Sequence, residues 1–81
     1  MRTITVYSKP NCPACRMIKR RFTDLNVSFN EISLKDDNDI KEFHKDYPLI
    51  NKLPFTVVME DGQIKDTWTD FNVTKVNKYG K

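Results

Sequence analysis

The sequence predicts an α/β fold in which seven elements follow one another as β-α-β-α-β-β-α and form a four-stranded mixed sheet with three helices. Apolar residues alternate along four short segments, which is typical of half-buried strands. Along three others they recur every three or four positions, which is typical of amphipathic helices. Turn-forming or capping residues separate these segments. A length of 81 residues, with 38% hydrophobic and 31% charged residues, suits one small soluble domain over residues 1–81.

The first strand and the first helix are predicted to flank a turn. Residues 3–8 alternate, with Ile4 and Val6 on one face, and a Ser-Lys-Pro-Asn turn follows. From Pro13 the apolar spacing becomes that of an amphipathic helix, and a proline suits the first helical turn, where its missing N–H costs nothing. Asn26 is predicted to end this helix. The apolar positions of the helix are Cys15, Ile18, Phe22 and Leu25.

The middle of the chain predicts a second strand and a second helix. Residues 27–32 alternate again, as a strand does. The polar run 36–39 can cap a helix, which Pro48 then ends. The inner face of this helix is predicted to carry Ile40, Phe43 and Tyr47.

The C-terminal part predicts a hairpin and a third helix. Residues 55–59 are rich in strand formers, and an Asp61-Gly62 turn leads into a fourth strand at residues 64–68. Strands separated by a helix are expected to pair in parallel, whereas the last two form an antiparallel hairpin. The third helix is predicted to begin after Asn72 and to bury Val73, Val76 and Tyr79.

The charge pattern limits the classes of partner. The net charge is +3, and the only tight basic cluster is Arg16, Lys19, Arg20 and Arg21. This cluster is either the solvated face of a helix or, at its end nearest Cys12, a source of positive charge that favours a thiolate or an acidic partner. No aromatic residues interleave with it, so we expect no nucleic-acid partner. No apolar run approaches the roughly 20 residues of a membrane span, and the N-terminus lacks the apolar stretch of a secretory leader, so we expect a cytoplasmic protein without a membrane partner.

Both cysteines lie in one tetrapeptide, Cys12-Pro13-Ala14-Cys15, between the first strand and the first helix. A dithiol at this spacing can close into a small ring and exchange two electrons with another disulfide. Cys12 falls at the helix N-terminus, where free N–H groups and the helix dipole stabilise a thiolate. The pKa of a thiol in such a place can fall from about 8.5 to roughly 3.5–7.5, and Lys9 in the same loop can reinforce the effect.

Cys15 lies one helical turn further along, on the apolar face, and is expected to be more buried and to have a higher pKa. The two cysteines therefore have unequal roles. We expect Cys12 to attack a substrate disulfide and form a mixed disulfide, which Cys15 then resolves by attacking Cys12.

Other interpretations of the cysteine pair stay open. Cys-x-x-Cys is also half of a zinc site, but four ligands are needed and the chain offers only His44 besides. An iron–sulfur cluster shared between two copies of the chain, or a pair of inert thiols, are the remaining alternatives.

Leu53-Pro54, directly before the third strand, is the second candidate site feature. A proline at this position can simply open the strand. Alternatively, a cis X-Pro bond would leave the preceding N–H and C=O free to pair with an extended substrate beside the reactive sulfur.

These residues resemble the glutaredoxin family. Ile4-Thr5-Val6-Tyr7-Ser8-Lys9-Pro10-Asn11-Cys12-Pro13-Ala14-Cys15 is similar to the opening of glutaredoxins, and Leu53-Pro54 matches their cis-proline position. The element order matches the thioredoxin fold of that family. The resemblance implies that Cys12 is the nucleophile, Cys15 the resolving thiol and Pro54 the cis-proline. It also implies that no cofactor is bound, that the Cys12–Cys15 disulfide is the redox-active group, and that the protein is a monomer, because a redoxin of this size needs no partner to fold.

The branch of the family is indicated by the segments that hold the substrate. Lys9 and Pro54 are retained, whereas Ala14 replaces the aromatic residue by which ordinary glutaredoxins hold glutathione, and no Gly-Gly follows the hairpin. The segment Trp68-Thr69-Asp70-Phe71 is instead similar to the Trp-Ser-x-Phe signature of NrdH-type redoxins. The resemblance implies substrate contacts at Lys9, Pro13, Leu53, Pro54, Trp68, Thr69, Asp70 and Phe71.

An NrdH-type redoxin receives electrons from NADPH through thioredoxin reductase and supplies ribonucleotide reductase, so the resemblance implies these two partners. Trp68 and Phe71 would then shape the surface where the reductase docks; the alternative is that both are aromatic residues of the core or its rim. Two residues depart from the signature, since Thr69 replaces Ser and Asp70 stands where that branch usually has Gly. An acidic residue at this position restores some of the character that binds the glutathione amine, so glutathione stays open as the alternative electron donor.

Overall fold

A computed structural model describes residues 1–80, so Lys81, the last residue of the expected domain, lies outside the described part. Within residues 1–80 no helix is long and apolar enough to cross a membrane. The predicted order of seven elements is confirmed. The elements are β1 (Arg2–Ser8), α1 (Pro13–Asp24), β2 (Asn30–Ser33), α2 (Asp37–Asp46), β3 (Phe55–Glu60), β4 (Gln63–Thr69) and α3 (Val73–Tyr79).

The four strands form one mixed sheet in the order β2-β1-β3-β4. β1 pairs in parallel with β2 and antiparallel with β3, and the predicted β3–β4 hairpin is confirmed. The expectation that β2 and β3 also pair in parallel across α2 is wrong, because β1 lies between them. The connection 47–54 returns the chain to the end of the sheet where β1 finishes, since Phe55 pairs with Tyr7. β3 therefore starts at that end and runs antiparallel to β1.

β2 begins at Asn30, later than the alternating pattern predicts, and the reason is the way α1 ends. Asn26, predicted to end α1, adopts a left-handed φ of 58° just beyond its last turn. The N–H groups of Asn26 and Val27 bond to the carbonyls of Thr23 (3.1 Å) and Phe22 (2.9 Å), which is the hydrogen-bond pattern of a Schellman cap. Because the Val27 N–H completes this cap, it cannot join the ladder with β1.

α1 and α3 cover one face of the sheet, and α2 covers the other. Buried residues of the larger core, on the α1–α3 face, are Ile4, Val6, Ile18, Phe22, Val58, Trp68, Val76 and Tyr79. Buried residues of the smaller core, under α2, are Leu34, Phe43, Phe55 and Val57. The first four residues of β3 are all buried, which suits its position inside the sheet with a layer of helices on each face.

Two apolar residues that were predicted to be buried are exposed. Ile40, in the first half of α2, is 40% exposed, and Val73, the first residue of α3, is 49% exposed. The helical period gives the direction of a side chain around the axis, but it does not tell whether the neighbouring layer extends to that end of the helix. Phe43, Val76 and Tyr79 take the predicted inner positions and are buried.

A polar cluster holds α3 against β4. Asp66 accepts hydrogen bonds from Lys75 Nζ (2.8 Å) and from the Tyr79 hydroxyl (2.9 Å). The hydrogen bond from Lys75 lowers the pKa of Asp66, whereas burial raises the pKa of Tyr79 and the hydrogen bond to Asp66 adds to that rise. Since the folded pKa of Asp66 lies below its unfolded value, the charged carboxylate stabilises the fold above about pH 4, and this contribution is lost as the pH falls through the folded pKa.

Replacing Asp66 by Asn should lower the free energy of unfolding by about 1–2 kcal/mol near pH 7, because the charge-assisted hydrogen bond from Lys75 is lost. The difference from the unmodified protein should shrink between about pH 7 and a strongly acidic pH, as the pH falls through the lowered folded pKa of Asp66 and the carboxylate becomes protonated. Urea denaturation at the two pH values measures both effects.

The matched control for this prediction is Asp24→Asn. Asp24 is exposed, and its carboxylate lies 4.0 Å from Arg20 at the surface, so the change should stay below about 0.5 kcal/mol. A loss of stability in Asp66→Asn that did not depend on pH would contradict the electrostatic explanation.

Candidate active site

Cys12 is the N-terminal capping residue of α1. Its backbone is extended (φ −114°, ψ 102°), and its carbonyl accepts the hydrogen bond of Arg16 N–H (3.1 Å). Its Sγ atom accepts a hydrogen bond from the Cys15 N–H (3.2 Å). Pro13, which is exposed, takes the first helical position, where no N–H is needed. The sulfur therefore lies against the free N–H groups of the helix, which favour a negative charge on it.

The two cysteines form a disulfide, with their Cα atoms 5.2 Å apart. Cys12 is 5% exposed and Cys15 is 1% exposed. The sequence predicted a reachable first sulfur and a hidden second one, and in this oxidised form the difference is small. The reason is that the Cys12 side chain turns over the helix N-terminus towards Cys15, with its Sγ 3.9 Å from the Leu53 carbonyl oxygen.

Cys15 lies one turn into α1, on the face that also carries the fully buried Ile18 and Phe22. Apolar surroundings disfavour the ionised form of a thiol. Reduction of the disulfide therefore leaves two unlike sulfurs, one capped by a backbone N–H and one enclosed by the core.

The segment before β3 forms the opposite wall of the site. The Leu53–Pro54 peptide bond is cis, and the Leu53 carbonyl oxygen faces Cys12 Sγ. Pro54 is fully buried, and its own carbonyl accepts a hydrogen bond from the Asp70 N–H (2.8 Å). The chain segments around Cys12, Leu53 and Asp70, which are far apart in sequence, thus meet at one end of the sheet.

The predicted docking segment divides between core and surface. Trp68 is 7% exposed and stacks on Tyr79, with ring centroids 5.8 Å apart and an interplanar angle of 8°. Thr69 is half-buried at the end of β4, Asp70 is exposed, and Phe71 is half-buried against the larger core. Most of the surface that this segment can offer to a partner therefore comes from Thr69, Asp70 and Phe71, whereas Trp68 packs as a core residue.

Asp70 occupies a backbone position that favours glycine. Its φ of 64° lies in the left-handed region, which Gly enters freely and which Asp tolerates better than most other residues. This conformation gives a physical reason for the Gly of the NrdH-type signature, and it is compatible with the Asp found in this chain.

Lys9 is exposed in the loop between β1 and α1, and it borders a groove of about 190 Å³ that the sequence did not predict. This groove, called the α2 groove below, is lined by five apolar and four polar residues: Leu34, Ile40, Phe43, Ile50 and Leu53, and Lys9, His44, Asn51 and Lys52. No local signal identifies it, because the path of residues 47–54 decides that residues of α2 lie beside Leu53.

The sequence also did not predict a hydrogen-bonded cluster of Ser8, Lys19 and Glu31 at the end of β1. Glu31 Oε2 accepts hydrogen bonds from the hydroxyl of the buried Ser8 (2.8 Å) and from Lys19 Nζ (2.5 Å). The hydrogen bond from Lys19, followed by that from Ser8, lowers the pKa of Glu31. The group joins the end of β1 to β2 and to α1. Its signal in the sequence is that Ser8 continues the inward-facing series of Ile4 and Val6.

The zinc alternative needs ligands that the structure does not bring together. Among residues 1–80, His, Cys, Asp and Glu side chains form no group of three or more that could hold a metal ion. His44 lies on α2, and its Nε2 makes a hydrogen-bond contact with the Ile50 carbonyl oxygen (2.9 Å).

The fold is thioredoxin-like, and it places a disulfide-bonded pair of cysteines at a helix N-terminus. The family model Glutaredoxin matches residues 4–62, a range that includes both cysteines and Leu53-Pro54. The chain belongs to the glutaredoxin family, whose redoxins are thiol–disulfide oxidoreductases.

Individual relatives agree with this assignment. The chain is 38% identical over 39 residues to the glutaredoxin-like protein NrdH of Lactococcus lactis subsp. cremoris, and 36% identical over 39 residues to that of subsp. lactis. Each match covers 48% of this chain and 54% of the relative, so the chain spans about half the length of the curated relatives it matches.

Two solved structures share the fold. The glutaredoxin-like NrdH-redoxin of Escherichia coli superposes with a TM-score of 0.73 and 20% identity, covering 94% of this chain and 92% of that chain. Glutaredoxin 1 of Francisella tularensis gives a TM-score of 0.71 and 20% identity, covering 96% and 93%. At these identities the two structures show the fold alone.

After reduction, Cys12 should react with iodoacetamide at about pH 7 at least about tenfold faster than Cys15, because the N–H groups of α1 stabilise its thiolate and Cys15 lies in the core. Tandem mass spectrometry of the peptide that contains both residues distinguishes the two alkylation sites. The same reaction in urea is the control, since the unfolded chain should alkylate both cysteines at similar rates. Equal rates in the folded protein would mean that the helix N-terminus does not activate Cys12.

Proposed function

We propose that this protein is a dithiol–disulfide oxidoreductase that reduces protein disulfides through Cys12 and Cys15. The observation that carries the proposal is the position of Cys12 Sγ, which caps α1, is bonded to Cys15 and faces the Leu53 carbonyl. One sulfur is held where negative charge is favoured, and the second is held within bonding distance of the first.

The reaction transfers two electrons from the protein to its substrate. The Cys12 thiolate attacks one sulfur of the substrate disulfide, that S–S bond breaks, and the departing substrate sulfur takes up a proton. Cys15 then gives its proton to the solvent and attacks Cys12 Sγ, which forms the Cys12–Cys15 disulfide and breaks the mixed disulfide between Cys12 and the substrate. The second substrate sulfur leaves as a thiolate and takes up a proton from the solvent. The protein dithiol is oxidised, and the substrate disulfide becomes two thiols.

The residues around the sulfur supply positioning and charge. The Leu53 carbonyl, 3.9 Å from Cys12 Sγ, lies where an extended substrate segment can pair its backbone with the chain. The exposed Lys9 adds a positive charge to the loop that carries Cys12, which favours an anionic sulfur or an acidic substrate.

Within this activity, we assign the protein to the NrdH-type branch, in the cytoplasm, with NADPH-dependent thioredoxin reductase as the electron donor and ribonucleotide reductase as the target. Two relatives from Lactococcus lactis are glutaredoxin-like NrdH proteins, and the E. coli NrdH-redoxin, described as having a thioredoxin-like activity profile, shares the fold. Ala14 and the Trp68-Thr69-Asp70-Phe71 segment support the same branch.

Glutathione is the second candidate donor, and one observation favours it. The hydrogen bond from the Asp70 N–H to the Pro54 carbonyl holds the backbone of Asp70, whose side chain is exposed, beside the Leu53-Pro54 wall, and the exposed Lys9 lies in the active-site loop. The acidic and the basic side chain on these two segments would bind the amine and a carboxylate of glutathione.

A coupled assay distinguishes the two donors. With NADPH and thioredoxin reductase, the protein should reduce a protein disulfide such as that of insulin, and NADPH consumption measures the turnover. The parallel reaction with NADPH, glutathione and glutathione reductase should be at least about tenfold slower, because Ala14 removes an aromatic contact that would help to hold glutathione. Turnover in the glutathione system alone would reverse the assignment of the branch.

Replacing either cysteine by serine should stop turnover, but only one of the two variants should trap the substrate covalently. Cys12→Ser should lose all disulfide reduction, because no nucleophile remains. Cys15→Ser should also lose turnover on protein disulfides but should accumulate a covalent mixed disulfide through Cys12. Non-reducing electrophoresis detects this adduct, and dithiothreitol should release it. An adduct of equal yield in Cys12→Ser would contradict the assigned roles.

A further inference from the structure

We propose that the α2 groove binds a large apolar side chain, flanked by an acidic residue, in the protein segment whose disulfide is reduced. This inference rests on the proposed function and specifies the class of substrate that the same site accepts.

Leu53 connects the groove to the reactive sulfur. Its carbonyl oxygen lies 3.9 Å from Cys12 Sγ, and the residue also lines the groove. In an extended segment, alternate side chains lie on the same face about 7 Å apart. A segment that brings its cysteine to Cys12 along Leu53 therefore places the side chain two residues away within reach of the groove.

The lining of the groove selects an apolar group. Phe43 is buried at the smaller core, Ile50 and Leu53 are half-buried, and Ile40 is 40% exposed although its neighbours on α2 are mostly polar. Covering this surface with a Leu, Ile or Phe side chain removes apolar area from water on both partners. Glutathione carries no large apolar side chain, which makes a protein segment the better occupant.

The charges at the groove select an acidic neighbour. Lys9 and Lys52 line it and are exposed, while the ring of His44 is already in contact with the Ile50 carbonyl oxygen. Within residues 1–80, the ionisable side chains that line this groove are all Lys or His. A carboxylate next to the apolar side chain would therefore be attracted by the two lysines that line the groove, whereas a basic residue there would be repelled by them.

A single-turnover experiment tests the proposal with the protein's own dithiol as the electron source. The protein is reduced, freed of reductant and mixed with disulfide-linked dimers of a short peptide that contains one cysteine. One protein dithiol and one peptide disulfide give one protein disulfide and two peptide thiols, which chromatography quantifies. Each peptide carries a test residue, Leu or Ser, at the second position before the cysteine and again at the second position after it. The residue next to each test residue is Asp or Lys.

We expect the unmodified protein to reduce the Leu/Asp peptide about tenfold faster than the Ser/Asp peptide. In Ile40→Ser this preference should largely disappear. Ile64→Ser is the matched control, because Ile64 is also an exposed isoleucine (54%) but lies at the start of β4, paired with Met59. This variant should keep the preference. Lys52→Glu should lower the rate for the Asp peptide relative to the Lys peptide.

Four results would overturn the inference. If the unmodified protein reduces the Leu and Ser peptides at equal rates, or if Ile40→Ser and Ile64→Ser behave alike, the groove does not select the substrate, although the proposed function stands. If glutathione disulfide is reduced faster than the Leu/Asp peptide, the site serves the smaller molecule. If no disulfide is reduced, the proposed function fails and the inference fails with it.

Discussion

The hydrogen bond from the Cys15 N–H to Cys12 Sγ is the interaction on which the site depends. It makes the sulfur the cap of α1, so the same contact ends the loop, starts the helix and favours negative charge on the sulfur. Pro13 fits this arrangement, because the first helical position needs no N–H. The inner face of α1 then carries Cys15 into the core beside Ile18 and Phe22, which makes the two sulfurs chemically unequal.

The direction of β3 gives this sulfur its surroundings. Because β3 starts at the end of the sheet where β1 finishes, Leu53 and Pro54 lie directly opposite the loop that carries Cys12. The hydrogen bond between Asp70 and Pro54 then brings the end of β4 to the same place. A parallel β3 would have delivered these residues to the far end of the sheet. The site therefore depends on the antiparallel direction of β3, which is the feature of the sheet that the sequence predicted wrongly.

The parts of the fold that could be predicted are those with local causes. Asn26, Asp36 and Asn72 mark helix ends because capping is a contact between residues that are close in sequence. The Asp61-Gly62 turn is identified in the same way, since both residues adopt positive φ in a two-residue hairpin. The predicted start of β2 at Val27 was wrong because the cap of α1 takes the Val27 N–H, and the alternation of side chains does not reveal this.

The sequence by itself determined the chemistry: two cysteines one helical turn apart, the first at a helix N-terminus, in a chain whose periods specify four strands and three helices. Only the tertiary structure decided which residues surround that pair. In the folded protein Trp68 is buried in the core, Ile40 is exposed at the α2 groove, and the Leu53 carbonyl lies beside Cys12 Sγ. The physical reason is that capping and periodicity act over a few residues, whereas burial and proximity depend on how the layers and the long connections pack in space.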